Sequence, residues 1–151
     1  DSRFFSRYVD VPNDALYPFG FGLSYTKFSY EGVAVSRHSV PMKEASQAGA
    51  KDLVTVTATV KNIGDREGTE IVQCYVRNLG ASLEQPVRSL KGFERVTLKP
   101  GESKQVMFKL GFPELSFYNN EGRPVVEATD YTVWIGGSSL ADLHDDFKIV
   151  Q

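Results

Sequence analysis

The chain has 151 residues, 41% hydrophobic and 24% charged, the balance of a globular protein of one domain, or one domain with an arm. Lys and Arg number 17 against 19 Asp and Glu, and the resulting charge of −2 argues against nucleic acid or an anionic membrane as the main partner, since both demand a concentrated positive field. No apolar run nears the ~20 residues that span a bilayer, and the single cysteine, Cys74, excludes an internal disulfide framework and any multi-cysteine metal site.

Residues 1–26 have no clean periodicity. Pro12, Pro18, Gly20 and Gly22 interrupt them, and Tyr17, Phe19, Phe21 and Tyr25 form a knot of aromatics. Proline removes backbone donors and glycine weakens regular structure, so this stretch reads as an extended, irregular arm, least ordered over Asp1–Asp14. A chain that opens at Asp1, with neither Met nor a signal-peptide pattern over residues 1–8, is expected to be a piece of something larger.

From Phe28 the pattern turns to β. Phe28 and Tyr30 share one parity, Val33 and Val35 the other, and the change at Gly32 predicts a bulge. Ser36–Asp52 is polar and reads as a long loop. Over Leu53–Lys61, Val54, Val56, Ala58 and Val60 alternate with Thr55, Thr57, Thr59 and Lys61, the mark of a half-buried strand ended by the turn at Asn62-Ile63-Gly64-Asp65. Thr69–Arg77 is apolar on both faces (Val72, Cys74 and Val76 on one, Ile71 and Tyr75 beside Gln73 on the other). It is therefore expected to be a central strand, or one whose outer face is covered.

A loop over Asn78–Arg88 leads to a weaker strand at Leu90–Leu98. Lys99-Pro100-Gly101-Glu102 carries Pro and Gly at the central positions of a type II turn. Val106, Phe108 and Leu110 alternate beyond it. Leu115–Tyr118 run into a hairpin turn at Asn119–Gly122, and Tyr131, Val133 and Ile135 alternate before Gly136-Gly137. Phe147 and Ile149 close the chain in a final short strand. Short strands at intervals of roughly 8–12 residues, with no helical repeat, predict an all-β, immunoglobulin-like sandwich over residues 27–151 behind the arm. Val56, Val60, Val72, Cys74, Phe108, Val133 and Ile135 are the expected core.

The sequence offers little chemistry. His38 and His144 sit in polar stretches away from any nucleophile motif, and Cys74 lies on an apolar parity, where a thiol is a small hydrophobe. Asp142, His144, Asp145 and Asp146 offer ligands for a cation, but they lack the ordered spacing and glycine of a calcium loop and read as a solvated hairpin tip. Glu67 and Glu70 read as solvent-exposed. The aromatic arm could present rings to a sugar. The stronger reading is a latch against the sandwich or a neighbouring domain, because contiguous apolar surface in soluble domains is normally covered.

Leu16-Tyr17-Pro18-Phe19-Gly20-Phe21-Gly22-Leu23-Ser24-Tyr25-Thr26 resembles the segment joining the catalytic domains of glycoside hydrolase family 3 β-glucosidases to their C-terminal fibronectin type III-like domain. Val60–Asp65, Gly68–Tyr75, Pro86–Phe93, Leu98–Glu102, Glu114–Tyr118 and Tyr131–Gly137 resemble further blocks of that domain, in order. Gln85, where an arginine often precedes the proline, and Phe21, commonly tyrosine, depart from the pattern.

The resemblance implies a fibronectin type III-like sandwich with no catalytic residue, no metal and no cofactor, because the family's nucleophilic aspartate and acid/base glutamate belong to other domains. It implies a retaining β-glucosidase parent, periplasmic or secreted. The implied partners are the catalytic domains of the same chain, touched by Tyr17, Phe19, Phe21 and Tyr25, with a homodimer contact as a further candidate. The expected role is a structural accessory that stabilises those domains. A carbohydrate-binding module that brings the parent to polysaccharide is the competing role.

Overall fold

A computed structural model describes residues 16–151, so the expectation for Asp1–Asp14 lies outside the described residues. Two sheets face each other. One contains β1 (Phe28–Val35), β3 (Val54–Asn62) and β6 (Ser103–Leu110), with β3 in the middle. The other runs in the order β2 (Ser39–Pro41), β10 (His144–Val150), β9 (Asp130–Gly136), β4 (Gly68–Asn78) and β5 (Ser89–Leu98). A small hairpin of β7 (Phe117–Tyr118) and β8 (Pro124–Val125) stands apart.

Alternation decides which side chains meet between the sheets. Val54, Val56, Ala58 and Val60 of β3 point inward with Val106, Phe108 and Leu110 of β6, and all are buried. From the other sheet come Val72, Cys74 and Val76 of β4, Val133 and Ile135 of β9, and Phe147 and Ile149 of β10. All seven expected core residues are buried. Tyr131 and Phe147, neighbours across β9 and β10, stack with ring centroids 5.0 Å apart. The register of β1 on β3 shifts between Glu31 and Ala34, which is the bulge expected at Gly32. The turn after β5 closes through the Glu102 amide donating to the Lys99 carbonyl at 3.0 Å, with Gly101 at φ 77°.

The stretch read as one long loop, Ser36–Asp52, contains structure. Ser39–Pro41 forms β2, the parallel neighbour of β10, and buries Val40. A helical turn, α1 (Met42–Ala45), follows and buries Ala45. Three residues with one apolar side chain are too few to show a period, and the partner strand lies over 100 positions away, so no local signal announces the pairing. Leu115, read as leading into the hairpin, instead ends a second helical turn, α2 (Phe112–Leu115), whose Glu114 carboxylate accepts from the Gly111 amide at 2.8 Å.

Cys74 is fully buried, and burial pushes its thiol up to about 12. Since the thiolate is the reacting species, a disulfide reagent at pH 8 is expected to leave the folded chain unlabelled and to react fully in denaturant. Rapid native labelling would mean that β4 opens locally or that Cys74 faces outward.

The candidate docking site formed by the arm

The arm lies on the outer face of the five-stranded sheet, and its backbone is what holds it there. Pro18–Phe21 make a tight turn in which the Phe21 amide donates to the Pro18 carbonyl at 3.0 Å. Gly20 occupies the left-handed region at φ 77°, and a Cβ there would fall 2.1 Å from Gln73 Oε1 and 2.6 Å from the Tyr75 hydroxyl. A glycine is therefore required on two counts, the backbone angle and the close approach.

Gln73 and Tyr75 project from the face of β4 that points away from the core, yet both are buried. The Gln73 Nε2 donates to the Gly20 carbonyl at 2.8 Å and to the Gly137 carbonyl at 2.9 Å, while its Oε1 accepts from the Tyr75 hydroxyl. Both amide hydrogens and the amide oxygen are thereby used, the condition for burying such a group cheaply. The Ser139 amide donates to the Phe19 carbonyl at 2.9 Å. Ser139 and Ala141 are fixed in turn by the Arg88 Nη1, which donates to their carbonyls at 2.6 and 2.7 Å. The Arg88 guanidinium lies 4.2 Å from the ring centroid of Trp134, a cation–π arrangement. Gln73, Tyr75, Arg88 and Trp134 thus form the seat of the arm. The sequence signalled only that β4 is apolar on both faces.

The far end of the arm is tied to a different anchor. Asn62, fully buried at the end of β3, donates through Nδ2 to the carbonyls of Arg66 at 2.8 Å and Leu98 at 2.9 Å. Its Oδ1 accepts from the Thr26 hydroxyl at 2.9 Å and the Gly64 amide at 3.0 Å. One side chain therefore joins the arm, the turn after β3 and the end of β5.

The arm's side chains do the opposite of its backbone. Tyr17 and Phe21 stack on each other with centroids 5.2 Å apart. Of the four aromatic rings, Phe21 is 48% exposed, Phe19 68%, and Tyr25 92%. Leu16, Tyr17 and Leu23 are exposed as well. The structure pairs Tyr17 with Phe21, sets Phe19 in a separate cleft with Val87 and Leu140, and leaves Tyr25 in no aromatic pair among the described residues.

Glu67 is exposed, in line with its sequence reading, and Glu70 departs from it. Glu70 is half-buried in a cleft between the arm and the loop joining β9 and β10, alongside Phe21, Tyr30 and Leu140. Desolvation holds its carboxyl above the usual range, although the Ile71 amide donates to it at 3.0 Å. Burial, then the Glu70 charge, raises the neighbouring Tyr30 hydroxyl, which has no hydrogen-bond partner among the described residues. In the 142–146 cluster, Asp142, His144 and Asp146 are exposed as expected, but the cluster runs from the β9–β10 loop into β10, which begins at His144. Asp145 opposes Val133 on the inner side of the sheet and accepts from the Val35 amide at 2.8 Å, bridging the two sheets. Alternation places it inward, a consequence visible only once the strand's start is known.

This two-sheet fold is that of a fibronectin type III-like domain, and the family model of that description matches residues 70–139. Residues 70–139 thus belong to that family. More particularly, it is similar to stretches of glycosidases. It is 46% identical over 136 residues to a β-xylosidase of Formosa agariphila, covering 90% of this chain and 17% of the relative. It is 38% identical over 149 residues to a periplasmic β-glucosidase of Salmonella typhimurium, covering 99% of this chain and 18% of the relative. Among solved structures, a β-glucosidase from Listeria innocua in complex with glucose superposes with a TM-score of 0.83 at 34% identity, over 99% of this chain and 20% of that one. The chain thus spans a fifth or less of the length of these relatives.

Proposed function

We propose that this chain is the non-catalytic accessory domain of a retaining β-glucosidase of glycoside hydrolase family 3, with residues 1–26 as the connecting arm and 27–151 as the sandwich. Its partners are the catalytic domains of the same polypeptide, and the parent works in the periplasm or outside the cell. Tyr17, Phe19, Phe21 and Tyr25 make the interdomain contact and stabilise the parent by burying apolar surface against it. The observation that carries this reading is the inversion in the arm: its backbone is bonded to the sheet while its rings face outward. A latch meant only for its own sandwich would turn its rings inward.

The test is the double variant Phe19→Ser, Phe21→Ser in the full-length enzyme. Its melting temperature is expected to fall by several degrees, with the arm becoming sensitive to limited proteolysis. An unchanged melting temperature combined with lost affinity for insoluble polysaccharide would replace the accessory reading with that of a carbohydrate-binding module.

A further inference from the structure

The exposed apolar surface does not stop at the arm. On the outer face of β4 and β5, cross-strand pairing sets Ile71 against Arg95, Gln73 against Phe93, and Tyr75 against Leu90. Gln73 and Tyr75 lie beneath the arm's turn. Phe93 therefore flanks the seat of Gly20 directly, and it is 69% exposed. Ile71 and Leu90, on the same face, are also exposed. On the other side of the turn, Phe19, Val87 and Leu140 surround Arg88 in an open cleft, and all three of those apolar side chains are exposed. The result is one band from Leu140 across Phe19 to Phe93 and Ile71. A large aromatic on the solvent side of an edge strand such as β5 is a liability in an uncovered sheet, where charge and proline are the usual protection.

We propose that this band, the outer face of β4 and β5 together with Val87 and Leu140, is a second docking surface that the preceding part of the same polypeptide covers. The inference rests on the reading of the chain as an accessory domain. The choice of occupant rests on three observations. The band is continuous with the arm, which is the strand of chain leading directly back into that preceding part. The relatives are more than five times as long as the stretch this chain matches, so ample surface exists to cover it. The band's size also fits: partly exposed aromatics of ~150–250 Å² each, with four aliphatic side chains, approach the lower end of the ~600–1,500 Å² typical of interdomain contacts. Arg95, exposed opposite Ile71, supplies a polar border of the kind such contacts carry.

Hydroxyl-radical footprinting of the full-length enzyme, compared with the 151-residue chain, tests this. Met107 is the internal reference, because it is 52% exposed on the outer side of the opposite sheet. Phe93 and Ile71 are expected to label about fivefold or more slowly in the full-length enzyme, as burial in an interface core requires, while Met107 labels equally in both. If Phe93 and Ile71 label alike in the two proteins while Phe19 and Phe21 are protected, the second surface is wrong and the arm contact stands. If none of the four is protected, the accessory reading fails too. Protection that appears in the 151-residue chain as its concentration rises would make a second copy the occupant. Protection of that chain by cello-oligosaccharide would make the band a sugar platform. Either of these last results overturns the proposal. Phe93→Ser, solvent-exposed in the chain alone, is expected to leave the melting of the 151-residue chain unchanged and to restore fast labelling of Ile71 in the full-length enzyme.

Discussion

Replacing Phe108 with Ala is expected to lower the stability of the sandwich by about 3–5 kcal/mol, the usual cost of deleting a buried aromatic ring and leaving a cavity. Phe108 is in the middle of β6, opposite Val56 of β3, and its ring spans the gap between the sheets to reach Gly92 of β5. A Cβ on Gly92 would lie 2.9 Å from Phe108 Cδ1, so the ring fills the space that a side chain at 92 would need. The two positions are therefore coupled. Gly92→Ala alone is expected to destabilise by crowding the ring, but in the Phe108→Ala background the added methyl enters the cavity. The double variant should recover on the order of 1 kcal/mol relative to additivity. Urea unfolding measures both effects as shifts of the midpoint at constant slope. A loss below ~1 kcal/mol for Phe108→Ala would mean that the ring is not a core residue.

Asn62→Leu is the second large effect, about 3–4 kcal/mol, from lost hydrogen bonds where Phe108→Ala loses packing. The leucine has nearly the same size, but the Leu98 and Arg66 carbonyls lose their donor, and the Gly64 amide and Thr26 hydroxyl lose their acceptor. Each polar group left buried without a partner costs about 1–3 kcal/mol, with the higher values for the least accessible. The Leu98 carbonyl bond is the fully buried one, and those at the turn are partly open to water, which keeps the total below the simple sum. The variant should also release the arm at Thr26, seen as faster amide exchange in residues 24–28 than Phe108→Ala causes at equal global stability. Equal exchange in the two variants would show that Asn62 holds the sandwich but not the arm.

The difference between these two positions shows what kind of information a sequence carries. Phe108 was legible because the alternation of Val106, Phe108 and Leu110 is local, and a strand with one apolar parity has only one way to face a core. The same reasoning placed Val56, Val133 and Ile135. Asn62 was visible only as a turn residue. Its role as a hub depends on bringing Thr26, Gly64, Arg66 and Leu98 to one point, and the two outer members are each 36 positions away.

The double-sided apolarity of Thr69–Arg77 was read as a central or covered strand, and both halves of that reading hold, since β4 runs between β9 and β5 with the arm across its outer face. That the cover is the arm's own backbone, seated on the Gln73 amide, could not be read locally. Phe93 and Val96 marked a weak strand, yet they differ in parity and face opposite sides. Nothing in that stretch says which side is core until Val96 and Leu98 meet the opposing sheet.

The sequence by itself determined the strand positions, the bulge at Gly32, the turn at Pro100-Gly101 and the inward parity of most strands, because period-2 alternation and turn chemistry act over a few residues. Tertiary structure alone decided the parallel pairing of β2 on β10, the half-burial of Glu70, the inward turn of Asp145, the seating of the arm and the outward face of Phe93. Each of these depends on which distant element covers a given side chain, and that is fixed by the packing of the two sheets rather than by any neighbouring residue.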